Sequence, residues 1–290
     1  VFIATLIATD GSLAPEISDT ARLALADAGC GPVVGRWIDE GYALDLAFTR
    51  DPATARAVLE PLADVVVQPE AGRAKKLLVA DMDSTMITIE CIDELADYAG
   101  IKAEIAEVTE RAMRGELDFE AALDARVALL KDLEATAIDR CHAERVKLMG
   151  GATTLIRTMK AHGARSVLVS GGFTVFADRV AAEIGFDRAL SNTLEIADGK
   201  LTGTVARPIV GAQTKRETLI AEAEALGIDL GATLAVGDGA NDIPMIQAAG
   251  LGIAYHAKPK TAAAAAARID RGDLTALLYA QGYARKDWVA

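Results

Sequence analysis

Residues 77–85 read Leu77-Leu78-Val79-Ala80-Asp81-Met82-Asp83-Ser84-Thr85. Four apolar residues run without interruption into two carboxylates spaced by one residue. Such a short apolar run suits a strand buried on both faces, as in a parallel sheet. In extended chain, residues two apart point to the same side, so Asp81 and Asp83 can face one site. Two carboxylates that close repel each other, and a cation is expected between or beside them. Ligands of open parallel sheets sit just beyond the carboxyl ends of the strands, and this pair stands at such an end.

Two further apolar runs end alike. Ser166–Val169 leads into Ser170-Gly171-Gly172-Phe173, and Thr233–Val236 leads into Gly237-Asp238-Gly239-Ala240-Asn241-Asp242. Together with Leu251–Tyr255 they alternate with helical segments from about residue 150, which predicts an α/β fold with a parallel sheet and helices on both faces. All three polar turns then open on one edge of the sheet. That edge offers carboxylates, a hydroxyl and N–H groups made accessible by glycine, a set of hard donors that suits Mg²⁺ and a phosphate oxygen. Gly171 and Gly172 would open a helix over Phe173–Ile184 and direct N–H groups at an anion. Lys215 could supply the balancing cation. Each piece also has an ordinary alternative: Asp83 or Asp242 as a helix cap, Ser170-Gly171-Gly172 as a plain turn, Lys215 as a surface lysine.

Outward from the first strand, residues 89–148 carry helical pattern with almost no strand signal, an insertion expected to cap the sheet edge. Thr193–Val205 holds Asp198-Gly199 between alternating runs, a hairpin signal. The run Ala262–Ala267 reads as helix sequence. Residues 1–74 read strand, helix, strand, strand, helix, strand, which suits a small α+β sandwich similar in element order to ACT-like regulatory domains. Polar Pro69–Lys76 is the expected linker. The predicted division is therefore an N-terminal α+β unit (1–74), a core (75–88 and 149–290) and a helical cap (89–148).

Composition narrows the function. Of the 290 residues, 51% are hydrophobic and 25% charged, a globular balance. No stretch approaches the ~18 uninterrupted apolar residues of a membrane span. The opening segment VFIATLIATDG lacks a basic lead and reads as a strand, so a cytoplasmic protein is expected. A formal charge of −12 disfavours nucleic acid and anionic membrane as partners. Cys30, Cys91 and Cys141 are widely spaced and form neither a disulfide framework nor a zinc pattern.

Asp-Met-Asp-Ser-Thr, Ser-Gly-Gly-Phe, a later lysine and Gly-Asp-Gly-Ala-Asn-Asp resemble, in that order, the four motifs of the haloacid dehalogenase superfamily. The nearer resemblance, over roughly residues 75–285, is to its phosphoserine phosphatases. It implies a Rossmann-like core and hydrolysis of O-phosphoserine through an aspartyl phosphate, the last step of serine biosynthesis. Asp81 would be the nucleophile and Asp83 the general acid and base. Mg²⁺ would be held by Asp81, the Asp83 carbonyl and Asp238, with Asp242 in support. Ser170, Gly171 and Lys215 would grip the phosphoryl oxygens, aided by Asn241. In the cap, the resemblance implies Glu90 for the substrate ammonium, Arg126 for its carboxylate, and Met113 and Phe119 as apolar residues that exclude water. Phe119 and Arg126, seven apart, share one helix face.

Two other functions are compatible with these motifs. One is a phosphatase or phosphotransferase of the superfamily acting on another small molecule. The other, from a different class, is a phosphoaspartate signalling or binding protein. Small α+β appendages often pair, so a homodimer is one expectation, and the ligand of residues 1–74 is left open.

Overall fold

The computed structural model describes residues 1–114 and 116–290, apart from the side chain of Met113. The chain opens with β1 (Phe2–Ile7), α1 (Ile17–Asp27), β2 (Val34–Asp39), β3 (Ala43–Phe48), α2 (Pro52–Leu59) and β4 (Asp64–Pro69). This is the element order read from the sequence. The Asp51 carboxylate accepts the Thr54 N–H at 3.0 Å and starts α2, with Pro52 in its first turn. Pro61, just beyond Leu59, would cost a helical hydrogen bond and clash with the preceding turn. The four strands pair antiparallel in the order β2-β3-β1-β4. Leu6, Leu25, Leu44, Leu46, Phe48 and Leu59 form a hydrophobic cluster of their own.

β5 (Leu77–Ala80) follows, and then α3 (Cys91–Ala99), α4 (Lys102–Met113), α5 (Phe119–Leu129) and α6 (Thr136–Arg145). The remaining chain alternates: α7 (Ala152–Ala161), β6 (Arg165–Phe173), α8 (Thr174–Ile184), β7 (Arg188–Asn192), the hairpin β8 (Leu194–Ala197) and β9 (Lys200–Val205), then α9 (Ala212–Leu226), β10 (Thr233–Gly237), α10 (Ile243–Ala248), β11 (Leu251–Tyr255), α11 (Pro259–Ala264), β12 (Ala267–Ile269) and α12 (Ala276–Ala280). Asp198 and Gly199 both have positive φ at the hairpin turn, as a tight two-residue turn requires.

The strands β12-β11-β10-β5-β6-β7 are mutually parallel. β5 lies between β10 and β6, so the sheet grows in both directions from it, and its carboxyl end is the crevice where such sheets bind ligands. The period-two alternation is visible in the core. Leu78, Ala80, Leu168 and Val236 join one cluster, whereas Leu77, Val79, Val167 and Ala235 join the cluster on the opposite face. The four inserted helices leave and rejoin the core at one place. Ile87 and Leu148 form a β-bridge, and the Met149 N–H donates to the Met86 carbonyl at 2.8 Å.

Three sequence readings change. Gly171 and Gly172 belong to the extended end of β6, and α8 begins only at Thr174. There Ser170 Oγ accepts the Gly172 N–H at 2.8 Å, a local bond that competes with helix initiation. The alanine run is helical only to Ala264, and Ala267 opens β12. Pairing to β11, with Ala267 and Ile269 fully buried, outweighs alanine's helix propensity there. Through Arg268↔Val65, β12 also meets β4 antiparallel, which joins all ten strands into one sheet.

The linker is also tied down. The Arg73 guanidinium forks onto Asp45 at 2.7 and 3.0 Å and donates to Thr5 Oγ1 and to the carbonyls of Tyr279 and Ala280. Its polarity serves a buried clamp. Among the described residues no helix is long and apolar enough to cross a membrane.

Candidate active site

Asp81 continues the sheet for one residue, its N–H donating to the Val236 carbonyl at 3.0 Å. The chain then folds around the Met82 carbonyl, which accepts the N–H groups of Thr85, Met86 and Ile87. Ser84 adopts positive φ in this turn. As a result the carboxyls of Asp81 and Asp83 line one cavity with Ser170, Gly171, Gly172, Asp238, Gly239 and Asn241. The cap supplies Glu90, Ile92, Phe119, Leu123 and Arg126 to the same cavity. Its volume of about 120 Å³ suits a small metabolite, being well below the ~300–1,000 Å³ of pockets for drug-sized ligands.

Beneath the cavity lies a buried charge cluster. Lys215 Nζ is 2.6 Å from Oδ1 of Asp81 and 2.6 Å from Oδ1 of Asp242, and no part of the Lys215 side chain is exposed. The other Asp242 oxygen accepts the Gly239 N–H at 2.9 Å. Asp242 stands at the start of α10 but makes no side-chain cap bond there; it holds Lys215 and the Gly239 turn instead. The position before this turn must be glycine, because a Cβ on Gly237 would sit 2.3 Å from the Asp242 carboxyl carbon.

Carboxylate atoms of Asp81, Asp238 and Asp242 lie within 4.8 Å of one another. With all three ionised, Lys215 within the cluster and Lys258 beside the cavity leave it negative. Burial, and next the Asp242 charge, push the Asp81 carboxyl well above the usual range, although Lys215 pulls the other way. Burial and then Asp242 push Asp238 up to about 6. On Lys215, burial alone would lower the pKa, but the Asp242 and Asp81 charges outweigh it and hold the ammonium protonated. Both Asp242 oxygens have partners, whereas among the described residues Asp238 Oδ1 has only a long 3.5 Å contact from Thr85 Oγ1. Asp81 and Asp238 therefore present hard oxygen donors short of positive charge, a set that fits a divalent cation.

Asp83 differs from its neighbour. Among the described residues its Oδ1 is buried without a hydrogen-bond partner, and burial followed by the Glu90 charge pushes the carboxyl up to about 7. A carboxyl that keeps its proton near neutrality can deliver it to a leaving group. Exposed Glu90 begins α3 and accepts the Ser84 hydroxyl at 2.7 Å. Arg126 is half-buried, with Nε on the Ala122 carbonyl at 3.2 Å, and forms no ion pair among the described residues.

A model of the haloacid dehalogenase-like hydrolases matches residues 78–247. A phosphoserine phosphatase of a Polaromonas species is 48% identical over 208 residues, covering 70% of this chain and 88% of that protein. This chain belongs to the phosphoserine phosphatase family of haloacid dehalogenase-like hydrolases. A family member from Streptomyces coelicolor is 47% identical over 235 residues, covering 81% of this chain, which spans only 57% of that relative's length. The unliganded crystal structure of a probable phosphoserine phosphatase from Vibrio cholerae superposes with a TM-score of 0.80 at 36% identity, covering 99% of this chain and 87% of that one.

Of the residues that the sequence suggested for a phosphoserine phosphatase site, Asp81, Asp83, Glu90, Phe119, Arg126, Ser170, Gly171, Asp238 and Asn241 line the cavity. Lys215 and Asp242 lie behind its wall, fully buried. The Met113 side chain falls outside the described residues. Leu123 and Lys258 line the cavity without having been read from the sequence. Leu123 is four residues after Phe119 and three before Arg126, so the helical spacing used for that pair also marks it. Lys258 follows the carboxyl end of β11, the same kind of position that marked the other three turns.

Proposed function

We propose that this chain hydrolyses O-phosphoserine to serine and inorganic phosphate, the last step of serine biosynthesis, through an aspartyl phosphate on Asp81. The observation that carries the reading is that Glu90 and Arg126 line the same small cavity as Asp81 and Asp83. An anion and a cation from the cap suit the ammonium and carboxylate of an amino acid, and the carboxyl pair below suits its phosphate.

Asp81 attacks phosphorus in line, and the bond from phosphorus to the serine oxygen breaks. Asp83 gives its proton to that oxygen as it departs. Water then attacks the acyl phosphate, its proton passes to Asp83, and inorganic phosphate leaves a free Asp81. Ser170 and the Gly171 N–H would donate to the phosphoryl oxygens. Lys215 stays paired with Asp81 and holds it in line. Mg²⁺, on Asp81, Asp238 and the Asp83 carbonyl, would offset the charge that opposes approach of a carboxylate to a phosphate.

We read residues 1–74 as a separate α+β unit, 75–88 with 149–290 as the core and 89–148 as the cap. The separate hydrophobic cluster of the first segment and the Ile87–Leu148 bridge support this division. Pairing of two copies through the N-terminal unit is supported by exposed Leu23 and Val34.

Phosphate release from O-phosphoserine, with and without Mg²⁺, tests the reading against an ester that lacks the amino and carboxyl groups. Turnover should need Mg²⁺ and should favour phosphoserine by at least tenfold in kcat/KM. Equal turnover of both esters would leave a phosphatase without the phosphoserine assignment.

A further inference from the structure

We propose that Asn192 is a positioning residue for phosphoryl transfer, its carboxamide fastening the Ser170–Gly171 end of β6 to the entry of the helix that carries Lys215. Asn192 ends β7 and is 1% exposed. Its Nδ2 donates to the Gly171 carbonyl at 2.9 Å and to the Val210 carbonyl at 3.2 Å, and its Oδ1 accepts the Val210 N–H at 2.7 Å. Toward Val210 the amide behaves as one more peptide group of a strand partner, giving and receiving one bond. The remaining N–H is spent on Gly171. Both donors are thereby used, on two chain segments that otherwise meet only through apolar packing, Val210 and Leu219 against Val167 and Val169 among the described residues.

Those two segments carry the chemistry. Gly171 follows Ser170 at the end of β6 that faces the transferring phosphoryl group. Val210 precedes Gly211, which stands immediately before α9 and whose carbonyl accepts the Lys215 N–H at 3.1 Å. A third contact depends on the same spacing. The ring of Phe119 from the cap covers both glycines: a Cβ on Gly171 would lie 3.1 Å from its Cζ, and one on Gly211 would lie 3.3 Å from its Cδ1. Asn192 thus builds the floor on which the cap residue rests and sets the distance between the turn donors and Lys215. Misplacing groups that act at the transition state by ~1 Å costs on the order of 100-fold in rate, so the role should appear in kcat more than in substrate capture.

The inference rests on the phosphatase reading, and two substrates separate their failures. Asn192→Asp keeps the shape and the acceptor for the Val210 N–H but sets carboxylate oxygen against the Gly171 and Val210 carbonyls. Asn192→Ser removes the reach to both segments and serves if the Asp variant does not fold. For each, kcat and KM are measured with phosphoserine and with p-nitrophenyl phosphate. Binding of orthovanadate, which imitates the five-coordinate phosphoryl group, and of inorganic phosphate is measured on natively folded protein. The expected result is a kcat lowered by about 10–100-fold, KM within about threefold, and vanadate affinity falling further than phosphate affinity. A lowered Tm with unchanged kcat and unchanged vanadate affinity would overturn the role. Wild-type turnover of p-nitrophenyl phosphate without phosphoserine would remove the substrate reading and leave Asn192 to be judged on the artificial ester and on vanadate.

Discussion

The ammonium nitrogen of Lys215 lies 2.6 Å from Oδ1 of Asp81, and both side chains are buried. The contact fixes which Asp81 oxygen faces inward and leaves the other for the cavity. Asp242, also 2.6 Å from Lys215, keeps the lysine in place from behind. A carboxylate held this way has little freedom to lose when it reacts, which is the advantage of an oriented nucleophile.

Replacing Asp81 with Asn should abolish phosphate release while the fold survives. The amide keeps the volume and removes one charge from a cluster in which Asp81, Asp238 and Asp242 crowd one another, and Lys215 retains Asp242. Turnover with phosphoserine and circular dichroism check both halves. Activity near that of the parent would remove Asp81 as nucleophile.

Removal of divalent cation should expose a pH-dependent weakness. Burial and nearby charges push Asp83 up to about 7 and Asp238 up to about 6, while an unfolded chain releases these protons near pH ~4. In that window the folded, metal-free protein binds more protons than the unfolded chain, so its stability falls as pH rises from about 4 to about 7. Below the window the penalty is absent, and above it the penalty is complete. Mg²⁺ in large excess should therefore raise Tm by roughly 5 °C at pH 8 and by clearly less at pH 5.5, where protons compete for the same oxygens. Thermal melts at the two pH values decide it; an equal increment at both would contradict this account of the cluster.

Arg126→Ala should raise KM for phosphoserine by about 10–100-fold, in line with the ~1.5–3 kcal/mol of a hydrogen bond to a charged group. Its kcat should change much less. An ester without a carboxylate should scarcely register the substitution. If both esters suffer alike, Arg126 shapes the cap and does not contact the substrate.

Arg73→Ala should destabilise the protein by about 3 kcal/mol, since it strands the Asp45 carboxylate, 2% exposed, without its forked partner. Arg73 lies outside the cavity, so kcat at a temperature well below unfolding should hold. Chemical denaturation and a cold activity assay measure the two effects. Unchanged stability would mean that Arg36, 3.9 Å from Asp45, or solvent takes over the charge.

The edge proposed to carry the chemistry was legible because each of its polar segments follows a short, mostly apolar run: Asp81 after Leu77–Ala80, Ser170 after Ser166–Val169, Asp238 two residues past Val236. Strand ends are local properties and survive translation from sequence to structure, although the Ser170–Gly172 segment extends the strand and does not turn into a helix. β12 was illegible for the opposite reason. Ala267-Arg268-Ile269 is too short for any periodicity, and its extended form comes from β11 and β4 on either side. Asn192 gave no signal, since an asparagine beside a hairpin is commonplace until Gly171 and Val210 are seen to meet at it. Arg73 read as linker polarity because its partners, Thr5, Asp45, Tyr279 and Ala280, are spread over nearly the whole chain.

The sequence by itself determined most of the strands and helices and the identity of the acidic turns at Asp81 and Asp238, because these depend on side-chain period and backbone preference within a few residues. Only the tertiary structure decided that Lys215 is a buried bridge between Asp81 and Asp242, that burial and the Glu90 charge push the Asp83 carboxyl up, and that one continuous sheet carries both halves of the molecule. Burial and charge act through space, and a pKa or an ion pair comes into being only when distant parts of the chain exclude water together.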